Sequence, residues 1–222
     1  MSIFHHQLKQ SIIWRGFYFI TLLLVNVFLS RFLKADGTGI IFYLVNFFSF
    51  LVLILSFNMD GSFTYFSAGK IIHHNKLAFV AIFWTLIVGI ATYLFLPSYF
   101  NHFDKSLSSN NTNLAKYGLY YIAGFLLANY FTALFYSLGN FFLPNIILGF
   151  SNILFIGLIY FGIKTNAPSS AIVSDYFYFI LLQGLFLAVA FLLKERNVKM
   201  FTFPKKIQFK QLINYSAIVF NN

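Results

Sequence analysis

Residues 117–163 contain no Asp, Glu, Lys, Arg or His. About a quarter of an ordinary soluble domain is charged, so an uncharged run of this length points to lipid rather than water as its solvent. One membrane helix takes about 20 mostly apolar residues. The run is therefore too long for one span and long enough for two. Ser137, Gly139, Asn140 and Pro144 in its middle are turn residues, which predicts a tight hairpin between spans at 117–138 and 141–163.

The rest of the chain reads in the same way. Further apolar runs at 12–33, 39–57, 77–96 and 176–193 bring the expected number of spans to six. Pro97 is read as closing the third. Residues 59–76 are more polar and contain glycine, and are read as a loop or short extension. Residues 98–116 hold the most hydrophilic stretch of the first half, with a solvated loop at 106–112. Only 9% of the 222 residues are charged against 59% hydrophobic, too few to cover a soluble surface. The expected fold is an all-α, polytopic six-helix membrane bundle over 1–196. A basic linker follows at 197–222 and ends on an apolar stretch at 212–220.

The net charge of +10 would suggest nucleic acid in a soluble protein. Here Lys and Arg flank apolar spans, so topology and inner-leaflet lipid explain them better, and no nucleic-acid partner is expected. With the N-terminus inside, ten of the 15 basic residues fall on the cytoplasmic side, which favours both ends of the six-span unit inside. The first apolar run has no small-residue cleavage site, so it reads as a membrane helix and not a signal peptide. Cysteine is absent, which excludes disulfides and thiolate metal sites.

Reagents for catalysis are sparse. No His-Glu-x-x-His motif or phosphate-binding glycine loop occurs. The five acidic residues, Asp36, Asp60, Asp104, Asp175 and Glu195, are scattered near span ends. His5, His6, His73, His74 and His102 read as interfacial loop residues. No catalytic residue, metal or cofactor is expected. Polar residues inside spans are costly in lipid and are the better pointers to function. They are Asn46, Asn129, Thr132, Asn145, Asn152 and Gln183. Interhelical hydrogen bonding is the plain reading for each, and a polar path through the bundle is the sharper one. Arg15 and Arg31 flank the first span. Each either snorkels to a headgroup region or offers its planar fork to an anionic substrate in a cavity. Asp60 reads either as a cap beside a turn or as a partner for a cation or for Lys70. Gly124 and Ala128 form a small-xxx-small pair suited to close helix packing.

Three segments carry a family resemblance. Residues 30–43 resemble the Arg-x-Leu-Gly-x-x-x-x-Gly-x-Tyr signature that follows the first helix of bacterial polysaccharide exporters of the O-antigen flippase type. Arg31, Leu33 and Gly39 match; Lys34 stands where the family usually has Gly, and Ile41 where it usually has Tyr. Residues 57–70 look like the family's glycine-led next segment, and 209–220 are similar to the entry into its seventh helix. The resemblance implies a two-lobed, V-shaped transporter around a central cavity. This chain would correspond to the N-terminal lobe and the start of a seventh helix, with a C-terminal lobe missing.

The substrate so implied is a glycan on an undecaprenyl pyrophosphate carrier, crossing a bacterial cytoplasmic (inner) membrane with the N-terminus cytoplasmic. Polysaccharide polymerase, glycosyltransferases and membrane lipids are the implied partners. Arg31 and Arg15 are the candidate pyrophosphate contacts, Asn46 and Asn129 the candidate sugar contacts, and Asp60 a speculative site for ion coupling to Na⁺ or H⁺. On this reading, neutralising Arg31 abolishes export. A drug or metabolite extruder of the same superfamily is the alternative, and it would favour acidic residues in its cavity. A membrane enzyme on lipid carriers would need a carboxylate or His cluster. A non-catalytic structural subunit would leave surface glycan unchanged on deletion.

Overall fold

The computed structural model describes residues 2–103, 111–195 and 202–221. Seven helices account for nearly all of them: α1 (Ser2–Leu55), α2 (Met59–Ala68), α3 (His74–Phe103), α4 (Asn111–Ser137), α5 (Phe142–Lys164), α6 (Ser169–Lys194) and α7 (Lys206–Asn221). Six segments are long and apolar enough to cross a bilayer: Lys9–Ala35, Gly37–Leu55, His74–Phe100, Asn113–Ser137, Phe142–Lys164 and Ser169–Lys194. The protein is an all-α, multi-pass membrane protein, as the six apolar runs predict.

The first two spans are the two halves of α1, separated by a break at Lys34 (φ 56°, ψ −164°). The first half runs beside α5 in the same direction. Trp14 meets Phe142, and Thr21 bonds to Asn152. The second half runs beside α4, where Ser49 shares a 2.7 Å hydrogen bond with the Tyr121 hydroxyl and the Tyr130 hydroxyl donates to the Ser56 carbonyl at 3.1 Å. α5 runs against α4 and α6, since Phe155 stacks on Phe179 while Gly162 lies against Ile172. The chain therefore reverses direction at Lys34. That backbone region is all but reserved for glycine. Lys34→Gly is expected to stabilise the protein by about 1 kcal/mol, read as a higher unfolding midpoint in detergent. A lower midpoint contradicts the strained turn.

The hairpin expected around 137–144 is present and its chemistry is local. Gly139 at φ 74° ends α4: Asn140 N–H reaches the Phe135 carbonyl at 2.9 Å and Gly139 N–H reaches Tyr136 at 2.9 Å, the paired bonds of a glycine-terminated helix. The Asn140 side chain then accepts from Leu143 N–H at 3.1 Å. Pro144 sits in the first turn of α5, where no intrahelical donor is lost. Asn166 (φ 52°) ends α5 with the same bond pattern.

Two expectations need correcting. Pro97 does not close the third span; it lies inside α3, which runs on to Phe103. Membrane helices tolerate an internal proline when neighbours hold the freed turn, and here Tyr99 and Phe100 pack on Phe47 at 5.1 and 5.7 Å. Helix also reaches into the expected loop at 98–116, and the remainder of that loop, 104–110, lies outside the described residues. The stretch 59–76, expected as a loop or a short extension, holds the ten-residue helix α2 at 59–68. Asn58, Phe57 and Lys70 take positive φ on either side of it. α7 packs on α2 through a 2.6 Å hydrogen bond between Ser62 and Ser216 and a stacked Tyr65–Tyr215 pair at 4.6 Å. Residue 196, the last of the expected lobe, and residues 197–201 of the expected basic linker lie outside the described residues.

α4 is the central helix and the most buried span. It packs along α3 and α6, and its closest approach is to α6. A Cβ at Gly184 would overlap the Gly124 carbonyl and meet Leu127 Cβ at 2.9 Å; one at Gly124 would overlap the Ile180 carbonyl. The two backbones touch there, which is the use of small residues between membrane helices.

Candidate functional site

Four of the helices, α1, α4, α5 and α6, surround a cavity of about 380 Å³. Its lining is mixed. Phe19, Phe42 and Phe125 are apolar and exposed. Between them stand polar side chains from all four helices: Arg15 and Asn26, Asn129 and Thr132, Asn145 and Asn152, and Gln183. Tyr18, Tyr121, Tyr136 and Tyr176 add phenol edges. Each of these groups is costly in hydrocarbon, so their convergence marks where the bundle admits polar matter.

The polar groups form two layers. At the end near the α4–α5 turn, the Arg15 guanidinium lies 5.8 Å from the centre of the Tyr136 ring. Asn145 donates to the Tyr136 hydroxyl at 2.8 Å and to the Phe141 carbonyl at 2.7 Å. Seven residues further along α5, about 10 Å of helix, Asn152 links three helices. Its amide donates to Thr21 Oγ1 at 3.1 Å, and its carbonyl accepts from Gln183 Nε2 at 2.8 Å. Thr21 completes the chain by donating to the Tyr18 carbonyl at 2.8 Å. The Asn152 bonds tie α1, α5 and α6 together and the Asn145–Tyr136 bond ties α5 to α4, so the plain interhelical reading holds for Asn145, Asn152 and Gln183. Asn129 is different: its amide lines the cavity and has no hydrogen-bond partner among the described residues.

The arrangement suits a polar or anionic ligand. Arg15 supplies five donors on a fixed plane, Asn129 and Thr132 of α4 supply donors and acceptors, and no Asp or Glu stands among the described lining residues. The tyrosine and phenylalanine faces offer stacking surface for sugar or other ring-shaped groups.

Of the residues singled out from sequence, the structure brings Arg15, Asn129, Thr132, Asn145, Asn152 and Gln183 to the cavity, and Arg31, Asn46 and Asp60 are not among its lining. Arg31 lies on the same helix 16 residues on, roughly 24 Å along the axis, and its side chain is exposed at the far end of the span. Asn46 is exposed beside Val45, which does line the cavity; one residue of helix turns the side chain by about 100°. Asp60 stands in the first turn of α2, where a carboxylate complements the helix dipole. Its carbonyl accepts from the Thr64 hydroxyl at 3.0 Å.

Asn26 and the four tyrosines were not singled out from sequence. Asn26, an amide in mid-span, carried a usable signal. The tyrosines did not, since 14 Tyr and 33 Phe make any one aromatic uninformative. No family model, curated protein or solved structure matches the chain.

Proposed function

We propose that this protein is the membrane lobe of a transporter that moves a lipid-linked oligosaccharide across the bilayer. The polar head passes along the cavity and the lipid tail stays in the hydrocarbon. The observation that carries this reading is the cavity itself, a column of amides and phenols inside six apolar spans, headed by Arg15 and without a described carboxylate. A pyrophosphate brought into a low-dielectric site needs a cation and hydrogen-bond donors to offset its lost hydration. Arg15 is the cation; Asn129, Asn26 and Thr132 are sugar or phosphate contacts. The absence of carboxylates in that lining sets the reading above that of an extruder of cationic compounds.

On this proposal the substrate is a glycan on undecaprenyl pyrophosphate. The membrane is the bacterial cytoplasmic one, with the Arg15 end facing the cytoplasm as the positive-inside balance favours. A second lobe supplies the opposite wall of the path, as transporters that rock two halves about a central site require. No bond is made or broken, so the chain's residues bind, orient and release.

The test is equilibrium binding of an undecaprenyl-pyrophosphate-linked trisaccharide to the purified protein in nanodiscs. The expected result is saturable binding, competed by the same glycan pyrophosphate on a shortened prenyl chain and not by a cationic dye. Saturable binding of the dye with none of the pyrophosphate lipid would overturn the proposal.

A further inference from the structure

A second recess lies on the lipid-facing side of the bundle, between α3, α4 and α6, away from the polar cavity. Its volume is about 400 Å³, and its walls are nearly all hydrocarbon, among them Leu86, Ile90, Ala123, Leu181 and Leu185. Gly89 deepens it, since the missing side chain leaves Leu119 as the floor, 3.1 Å from where a Cβ would stand. Along α6 it runs from Leu181 to Leu192, roughly 16 Å of helix. That is about one leaflet, half of the ~30 Å hydrocarbon thickness.

The ends of the recess differ in charge. At its α6 end, Lys194 follows Leu192 by two residues and closes the helix. Lys76 opens α3, six residues before the lining residue Ile82, or about 9 Å by helical rise. The acid nearest in sequence, Glu195, is taken up by His74 in a 2.9 Å contact. Neither Lys76 nor Lys194 forms a salt bridge with a described residue. Lys194 Nζ lies over the Phe135 ring of α4 at 5.8 Å, which leaves its charge without an acidic partner; an apolar slot one leaflet long, with two such cations at one end, has the charge and length of one ligand class.

We infer that the α3–α4–α6 recess holds one acyl chain of an anionic phospholipid, with Lys76 and Lys194 at the phosphate. The site is separate from the proposed transport path and does not depend on that reading. It would fix the outer face of α4 and α6 with lipid of the leaflet on the Lys76 side.

Native mass spectrometry tests this on the full chain, released from bilayers of equal phosphatidylglycerol and phosphatidylcholine. The unaltered protein is expected to keep one phosphatidylglycerol. Leu185→Trp and, separately, Leu86→Trp fill the recess from positions that are already exposed; each is expected to lose that lipid while unfolding at the original temperature. Lys76→Gln with Lys194→Gln is expected to keep a lipid but lose the preference for the anionic one, about fivefold per lysine. Retention unchanged in both tryptophan variants overturns the inference. So does a protein that retains no lipid, or a dimer that both tryptophan variants convert to monomer, which would put a second copy over the recess.

Discussion

Gly184→Leu is expected to remove folded protein from the membrane almost completely. At that position the added side chain meets the Gly124 carbonyl and Leu127 rather than a movable side-chain tip. Overpacking ordinarily costs about 1–3 kcal/mol because side chains can shift. Here two helix backbones would have to part, which places the substitution in the rare class above roughly 4 kcal/mol. The effect extends to the cavity, because α4 and α6 carry Asn129 and Gln183 on their walls. Fluorescence-detected gel filtration in mild detergent checks it: the monodisperse peak should vanish for Gly184→Leu and shrink for Gly184→Ala. Gly157, which has nothing within 4 Å of its Cβ position, is the control, and Gly157→Leu should behave as the unaltered protein. A normal peak for Gly184→Leu would mean that the α4–α6 crossing is not as close as described.

The second large effect concerns the ligand and not the fold. Arg15→Ala is expected to weaken binding of the pyrophosphate-linked glycan by at least tenfold. One charge-assisted hydrogen bond is worth about 1.5–3 kcal/mol, and the low end applies because the Arg15 side chain is exposed at the cavity end. Arg15→Lys should recover only part of the loss, since lysine keeps the charge but not the planar fork. Arg31→Ala should leave affinity within about twofold, its side chain standing roughly 24 Å away along the same helix. Isothermal titration of the three variants separates these cases. Equal losses for Arg15→Ala and Arg31→Ala would point to a general surface charge effect and count against the cavity as the binding site.

These two residues also show what could and could not be read before the structure. Both arginines flank the first span, and the family resemblance favoured Arg31, which stands in the signature at residues 30–43. Which one meets the cavity depends on the reversal at Lys34 and on α5 lying beside only the first half of α1. The spans themselves were legible because lipid excludes charge, and a charge-free run is visible without knowing any contact. The hairpin was legible because Gly139 and Asn140 act within a few residues of themselves. Pro97 misled because its cost depends on whether distant Phe47 packs on the turn beyond it. Facing was the hardest to read. Helices apolar on every side carry no stripe, so nothing in the sequence turns Asn129 inward and Asn46 outward. The amides at 145, 152 and 183 were identifiable as costly in lipid, but their pairing across four helices is a product of the fold.

The central claim is that a water-accessible polar cavity runs among α1, α4, α5 and α6. The chain has no cysteine, so a single introduced thiol reports alone. Asn129→Cys and Leu154→Cys place that thiol on the cavity wall and on the exposed apolar face of α5. Both are then treated in membranes with a charged maleimide that does not enter lipid. The account predicts rapid labelling at 129 and essentially none at 154. No labelling at 129, or equal labelling at both, would contradict it.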